Sequence, residues 1–271
     1  MAVFVSGDTH GPHALDFYRQ DGFMERLKTD AFPEQKSMTK EDFVIILGDF
    51  GGVWAWDGKA SFGETPEENY HLNWLDKKSF TTLFIDGNHE NHIRLAKYPR
   101  KEWHGGWVHE IRPSVLHLMR GECFQISGAS FFTFGGASSH DISDGLLNPA
   151  DFPSAKALKR ICRRMHREGK LFRVLNESWW KEELPSPEEL DNGIHNLEKN
   201  HWKMDYILTH SPSGDMLAQM EKDDEENYFT AYLDEIRQKT EYKKWLFGHL
   251  HRNEKLNEKE MCLYDQIVRL V

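Results

Sequence analysis

TTLFIDGNHE, residues 81–90, passes without a break from apolar and β-branched positions to an acid, a glycine, an amide, an imidazole and a second acid. Thr81 to Ile85 reads as a buried strand. Gly87, Asn88, His89 and Glu90 add almost nothing to a core, so their place at the strand's end asks for another reason. The same join recurs along the chain. AVFVS (2–6) runs into GDTHG (7–11), FVIIL (43–47) into GDFGG (48–52), DYILT (205–209) into His210, and KKWLF (243–247) into GHLH (248–251). Between strands lie helix starts: Thr65, Pro66 and Glu68, and again Ser186, Pro187 and Glu189, have the spacing of a capping box with proline at the first helical position. This alternation predicts an α/β fold. From about 107 to 134 the strand-like pieces VLHLM, CFQIS and SFFTF follow one another without a helix, which predicts antiparallel pairing within or beside a second sheet.

In open α/β sheets the carboxyl ends of strands are where loops diverge and leave a crevice for a ligand. Asp8 and His10 are two residues apart, as are His249 and His251, so in an extended segment each pair points the same way. Asp49 stands at the mouth of its strand, ahead of Gly51 and Gly52, which permit a tight turn. A lone histidine after a strand is ordinarily a packed or surface residue. Asp8, His10, Asp49, Asn88, His210, His249 and His251, all near a glycine or a strand end, form a pattern that chance does not supply.

GDTHG, GDFGG, GNHE, the TH at 209–210 and GHLH resemble, in order, the five motifs of the calcineurin-like metallophosphoesterase superfamily, over residues 7–251. The resemblance implies a four-layer α/β/β/α sandwich of two mixed sheets, with a dinuclear metal centre between the carboxyl ends of the sheets. By motif, Asp8, His10, Asp49 and His251 would hold one metal and Asp49, Asn88, His210 and His249 the other. His89 would stay outside the coordination shell and donate a proton to the departing group as water attacks in line. Two divalent ions about 3.5–4 Å apart need a bridging carboxylate, the place of Asp49, and together activate a bridging water and clamp phosphoryl oxygens. With Asp8 and Asp49 the anionic ligands, such a centre keeps positive charge for an anionic substrate. Nitrogen and oxygen ligands without thiolate suit Mn, Fe, Zn or Ni.

The chain departs from the protein phosphatases of the superfamily, whose GDxVDRG and RGNHE carry two phosphate-clamping arginines. Val53 and Asp86 stand at those positions, which favours small or nucleotide-like phosphate mono- or diesters as substrates. FGGASSHD (134–141) and SWWKEEL (178–184) resemble stretches of bacterial and phage members. Candidate substrate contacts are Arg94, His140 and Trp54, with Trp56, Ser138 and Ser139 nearby. Asp86 or Glu90 would orient His89; alternatively Glu90 caps the helix starting at HENHIRLAK and Arg94 is merely exposed.

Residues 138–203 interrupt the strands with polar, helix-forming sequence, read as a helical cap or insertion in a single domain spanning 1–271. Within it, Ala155, Leu158, Ile161, Cys162 and Met165 make one apolar stripe, and Lys156, Lys159, Arg160, Arg163, Arg164, Arg167 and Lys170 cover the rest. Such a charge run is usually a solvated face; the alternative is a cap that draws phosphate inward. Trp179 and Trp180 are read as anchors of this insertion.

A formal net charge of −10 argues against holding nucleic acid or anionic membrane by bulk electrostatics. Nucleic acid is therefore the less favoured substrate, a nuclease the second hypothesis, and a non-catalytic module on the same sandwich the third. Cys123, Cys162 and Cys262 are odd in number and far apart, which speaks for a reducing compartment. MAVFVSGDTHG has no basic start and a short apolar run, unlike a signal peptide or anchor. A cytoplasmic protein without a membrane span is the expectation.

Overall fold

The computed structural model describes residues 1–12, 22–54, 63–221 and 226–271; Trp56 lies outside the described residues. The first half of the chain lays down β1 (Val3–Ser6), β2 (Phe43–Leu47), β3 (Thr81–Ile85), β4 (Arg100–Trp103), β5 (Gly106–Arg112) and β6 (Val115–Leu118). The second half adds β7 (Glu122–Ile126), β8 (Ala129–Phe134), the short β9 (Leu146–Leu147) and β10 (Arg173–Val174), then β11 (Lys203–Thr209), β12 (Glu241–Phe247), β13 (Glu254–Lys255), β14 (Glu260–Cys262) and β15 (Ile267–Arg269). One sheet runs β15-β1-β2-β3-β6-β5-β4 and the other β13-β14-β12-β11-β8-β7, while β9 and β10 form a small parallel pair of their own. Both large sheets are mixed: a parallel centre is flanked by antiparallel edge strands.

The central strands are buried on both faces, and their period of two divides them between two cores. Val3, Val5, Phe43, Ile45, Leu47, Leu83 and Ile85 face the second sheet and meet Phe124, Ile126, Phe131, Leu208 and Leu246. Phe4, Val44, Ile46 and Phe84 face outward, against α1 (Phe23–Arg26) and α2 (Pro66–Asp76). On the far side, Phe132, Phe134, Ile207, Trp245 and Phe247 are covered by α5 (Pro187–Lys199), α6 (Gly214–Gln219) and α7 (Tyr228–Lys239), which follow α3 (His92–Leu95) and α4 (Ala155–Arg167) in the chain. Helices, sheet, sheet and helices make the α/β/β/α sandwich that the resemblance implied. No helix of the described residues is long and apolar enough to cross a membrane.

Two local expectations change on inspection. The stretch 107–134 is divided: β6 joins the first sheet, parallel to β3, and β7 with β8 forms a hairpin at the edge of the second. Ser186 and Glu189 close a full capping box, whereas Thr65 caps α2 alone, because the Glu68 carboxylate turns to Arg94 and to the Trp54 N–H instead. The polar region 138–203 also has two characters. Its α5 belongs to the outer layer through Leu197, while α4 sits over a separate small core of Leu158, Phe172 and Val174.

Register places the functional loops. Leu47 pairs with Ile85 across β2 and β3, and Thr209 with Phe247 across β11 and β12. The segments carrying Asp49 and Asn88 therefore leave the first sheet side by side, and those carrying His210 and His249 leave the second side by side.

Candidate metal centre and active site

Four of the five predicted strand ends open onto one cavity of about 990 Å³, lined by His10, Asp49, Asn88, His89, His249 and His251 among others, while the fifth carries His210, fully buried beside Asn88 and Asp49. The loops are locked to one another before any ligand is considered. Thr9 and His10 N–H donate to the Asp49 carbonyl, the His89 N–H donates to Asp49 Oδ1 at 2.8 Å, and the His249 N–H donates to Asp8 Oδ1 at 3.1 Å. Across the sheets, His210 Nδ1 donates to the Leu47 carbonyl at 2.8 Å. Approach this close excludes side chains at two points. A Cβ on Gly48, whose φ is +86°, would fall 2.2 Å from His210 Nδ1, and one on Gly87 would fall 2.1 Å from Asp49 Oδ1. His10, Asp49, His249 and His251 have positive φ of 49°, 43°, 68° and 50°.

The polar atoms gathered here are short of protons. Because His210 spends its Nδ1 proton on Leu47, its Nε2 carries a lone pair, and this faces Asn88 Oδ1 at 3.3 Å and Asp49 Oδ1 at 3.4 Å. The Asn88 amide is fixed in that sense by its Nδ2, which donates to Ser139 Oγ at 3.2 Å. Three electron-rich atoms facing each other in a buried site call for a cation. Asp8 Oδ2 is likewise buried without a hydrogen-bond partner among the described residues. Burial, reinforced by Asp49, pushes the Asp8 carboxyl well above its ordinary range, and burial pushes Asp49 up to about 7. Burial lowers His10 to about 3 and holds His89 and His210 well below the ordinary imidazole value, so these rings stay neutral donors. Ligand atoms of Asp8, His10 and His251, of His10, Asp49 and His89, and of Asp49, His210 and His249 form three groups, each within 4.8 Å. The donor set fits divalent cations.

His89 is oriented by neither of the acids suggested by sequence. Burial alone would raise Asp86, but Arg120 and His117 hold it well below the ordinary carboxylate range. It accepts from Arg120 Nε at 2.9 Å and lies 3.0 Å from His117 Nε2. Glu90 instead joins two loops, accepting from the Gly51 N–H at 3.0 Å and the Gly87 N–H at 2.5 Å, and Asn91 caps α3. The His89 ring is flanked by Trp54, stacked at 5.8 Å between centroids, and by Arg173, whose Nη2 lies 3.4 Å from His89 Nε2. Trp54 packs in turn on the fully buried Trp180, so it is a wall of the pocket rather than a free stacking surface.

Of the other candidate contacts, His140 lines the cavity and meets His249 edge-on at 5.7 Å. Arg94 does not reach it: its guanidinium is 2% exposed, with Nη1 donating to both Glu68 oxygens at 2.8 and 2.7 Å. Ser139 is held by Glu183, which accepts from its N–H at 2.9 Å and its Oγ at 2.6 Å. Arg173, Asp141 and Glu183 went unread in the sequence. The signal for Arg173 was a single cation between Phe172 and Val174, with period two placing it opposite their buried face.

A lariat debranching enzyme of Caenorhabditis briggsae is 27% identical to the chain over 150 residues, which are 51% of this chain and 25% of that protein. The chain thus spans about a quarter of the length of the curated relative it matches. The family model described as calcineurin-like phosphoesterase matches residues 1–253, a span that holds every strand end lining the cavity, and the chain belongs to that family.

Proposed function

We propose that the chain hydrolyses phosphate mono- or diesters, small or nucleotide-like, with two divalent cations. Asp8, His10, Asp49 and His251 hold the first, and Asp49, Asn88, His210 and His249 the second. The observation that carries this reading is the close meeting of three buried ligand atoms, His210 Nε2, Asn88 Oδ1 and Asp49 Oδ1. When bound, the cations would supply Lewis acidity and would activate a water as the nucleophile. The protein's part is to place the groups around them. Asp49 belongs to two of the three ligand groups and takes the His89 backbone N–H on the same carboxylate, so one side chain would link the metal ligands to the position of the proton donor. The His89 imidazole, whose proton affinity burial lowers, gains affinity when a phosphate dianion enters beside it, takes up a proton from solvent and delivers it to the leaving oxygen. Two carboxylates against two dications leave the pocket positive, which reconciles an acidic chain with an anionic substrate.

Metal analysis followed by assay of the Mn-reconstituted protein on para-nitrophenyl phosphate, its bis-ester and cyclic nucleotides tests the reading. Asp49→Asn should lose bound metal and at least ~100-fold in turnover; unaltered turnover in that variant would rule out the assigned centre.

A second reading, hydrolysis of nucleic-acid phosphodiesters, is favoured by α4 and by the likeness to an enzyme named for lariat debranching. Lys156, Lys159, Arg160, Arg163 and Arg167 are exposed on this helix and form no ion pair among the described residues. His166 belongs both to this surface and to the rim of the cavity.

A further inference from the structure

Arg173 is a cation set in an apolar strand. Its neighbours Phe172 and Val174 bury into the small core with Leu158 of α4, and the alternation of β10 leaves Arg173 lining the cavity. The side chain is 19% exposed and braced from behind: Nε donates to Asp141 Oδ1 at 3.0 Å and Nη2 to Asp141 Oδ2. Nη2 also lies 3.4 Å from His89 Nε2, long for a hydrogen bond, and Nη1 has no hydrogen-bond partner among the described residues. A guanidinium held on one edge by an acid, with unspent protons beside a cluster of metal-ligand side chains, matches what two phosphoryl oxygens require. The positive charge of Arg173 is felt by Asp49, His10 and His89 alike.

We propose that Arg173 binds the non-bridging oxygens of the substrate's phosphoryl group and that Asp141 fixes the plane of its guanidinium for that purpose. The proposal rests on the phosphoesterase reading above. It moves to β10 the task that Val53 and Asp86 cannot perform at the positions of the missing arginines. Val53 is buried in the outer core and Asp86 is tied to Arg120. The other cations named from sequence are elsewhere: Arg94 is sealed against Glu68, and Arg160, Arg163 and Arg164 lie exposed on α4.

The test uses the full chain reconstituted with Mn, with hydrolysis of para-nitrophenyl phosphate and calorimetric binding of inorganic phosphate as separate readouts. Arg173→Ala should raise KM and weaken phosphate binding about 10- to 100-fold, with metal content and Tm unchanged. Arg173→Lys should recover only part of the loss, since an ammonium keeps the charge without the fork. Asp141→Asn should fall between wild type and Arg173→Ala. If the wild type is active and Arg173→Ala leaves KM and phosphate affinity unchanged, the assignment is wrong and the phosphoesterase reading stands. A fall in kcat alone, with a displaced pH profile, would make Arg173 a positioning residue for His89 and overturn the proposal. A wild type with neither hydrolysis nor phosphate affinity after reconstitution removes the phosphoesterase reading, and this proposal with it.

Discussion

His92 shows how a single buried ring ties stability to pH. It is 7% exposed, and burial together with the nearby Arg120 lowers its pKa to about 3. An unfolded chain takes up this proton as pH drops below about 6.5, while the folded chain refuses it until about 3, so folded stability falls as pH falls through that window. From pH 7 to pH 5 the loss from this one residue is about 2 kcal/mol. His92→Phe should flatten the decline, measured as the difference in unfolding free energy at the two pH values; an undiminished difference would show that His92 is not its source. At this scale the sequence is legible where function follows the chain locally. Asp8, His10, Asp49, Asn88, His89, His210, His249 and His251 each follow a strand, and the fold brings their side chains close together. Arg173, Asp141 and Glu183 owe their places to contacts between remote segments, as when Arg173 meets His89, and no local pattern announces such a meeting.

The loops after β2 and β3 behave as one element because Glu90 spans them. Its buried carboxylate satisfies the N–H groups of Gly51 and Gly87, two donors that would otherwise be stranded beside the cavity. Glu90→Ala should lower unfolding free energy by roughly 2–3 kcal/mol, because it strands two buried N–H donors, and should weaken metal retention because Asp49 and Asn88 lie on the freed loops. Thermal melts and metal titration would check this; a variant with wild-type Tm would mean that water replaces the carboxylate without loss. The central strands are readable nearly to the residue, since FVIIL and TTLFI are continuous apolar runs bounded by turn residues, while the polar edge strand β4 and the short β13, β14 and β15 carry no such signal. Which sheet a strand joins was not readable. VLHLM and CFQIS look alike in composition, and only long-range pairing sends β6 to one sheet and β7 to the other.

Across the whole molecule, charge is unevenly spread: an acidic chain carries α4 as a basic ridge beside the cavity. If nucleic acid lies along that ridge, Arg160→Ala with Arg163→Ala should weaken binding of single-stranded DNA and make the slope of log affinity against log salt shallower by roughly 1.4, with turnover of para-nitrophenyl phosphate unchanged. An identical slope would assign α4 to solvation alone. We propose that residues 138–203 are an insertion within one domain rather than a second domain, because α5 completes the outer layer of the second sheet; limited proteolysis that released the segment with its own cooperative melt would contradict this. The four left-handed residues described at the site carry a wider consequence. A non-glycine residue in that conformation costs on the order of 1 kcal/mol or more, and here the burden falls on His10, Asp49, His249 and His251 together. Durability and chemistry therefore compete at these four positions: glycine there would relax the backbone and erase the donors, so the strain is the counterpart of keeping a ligand side chain at each of them.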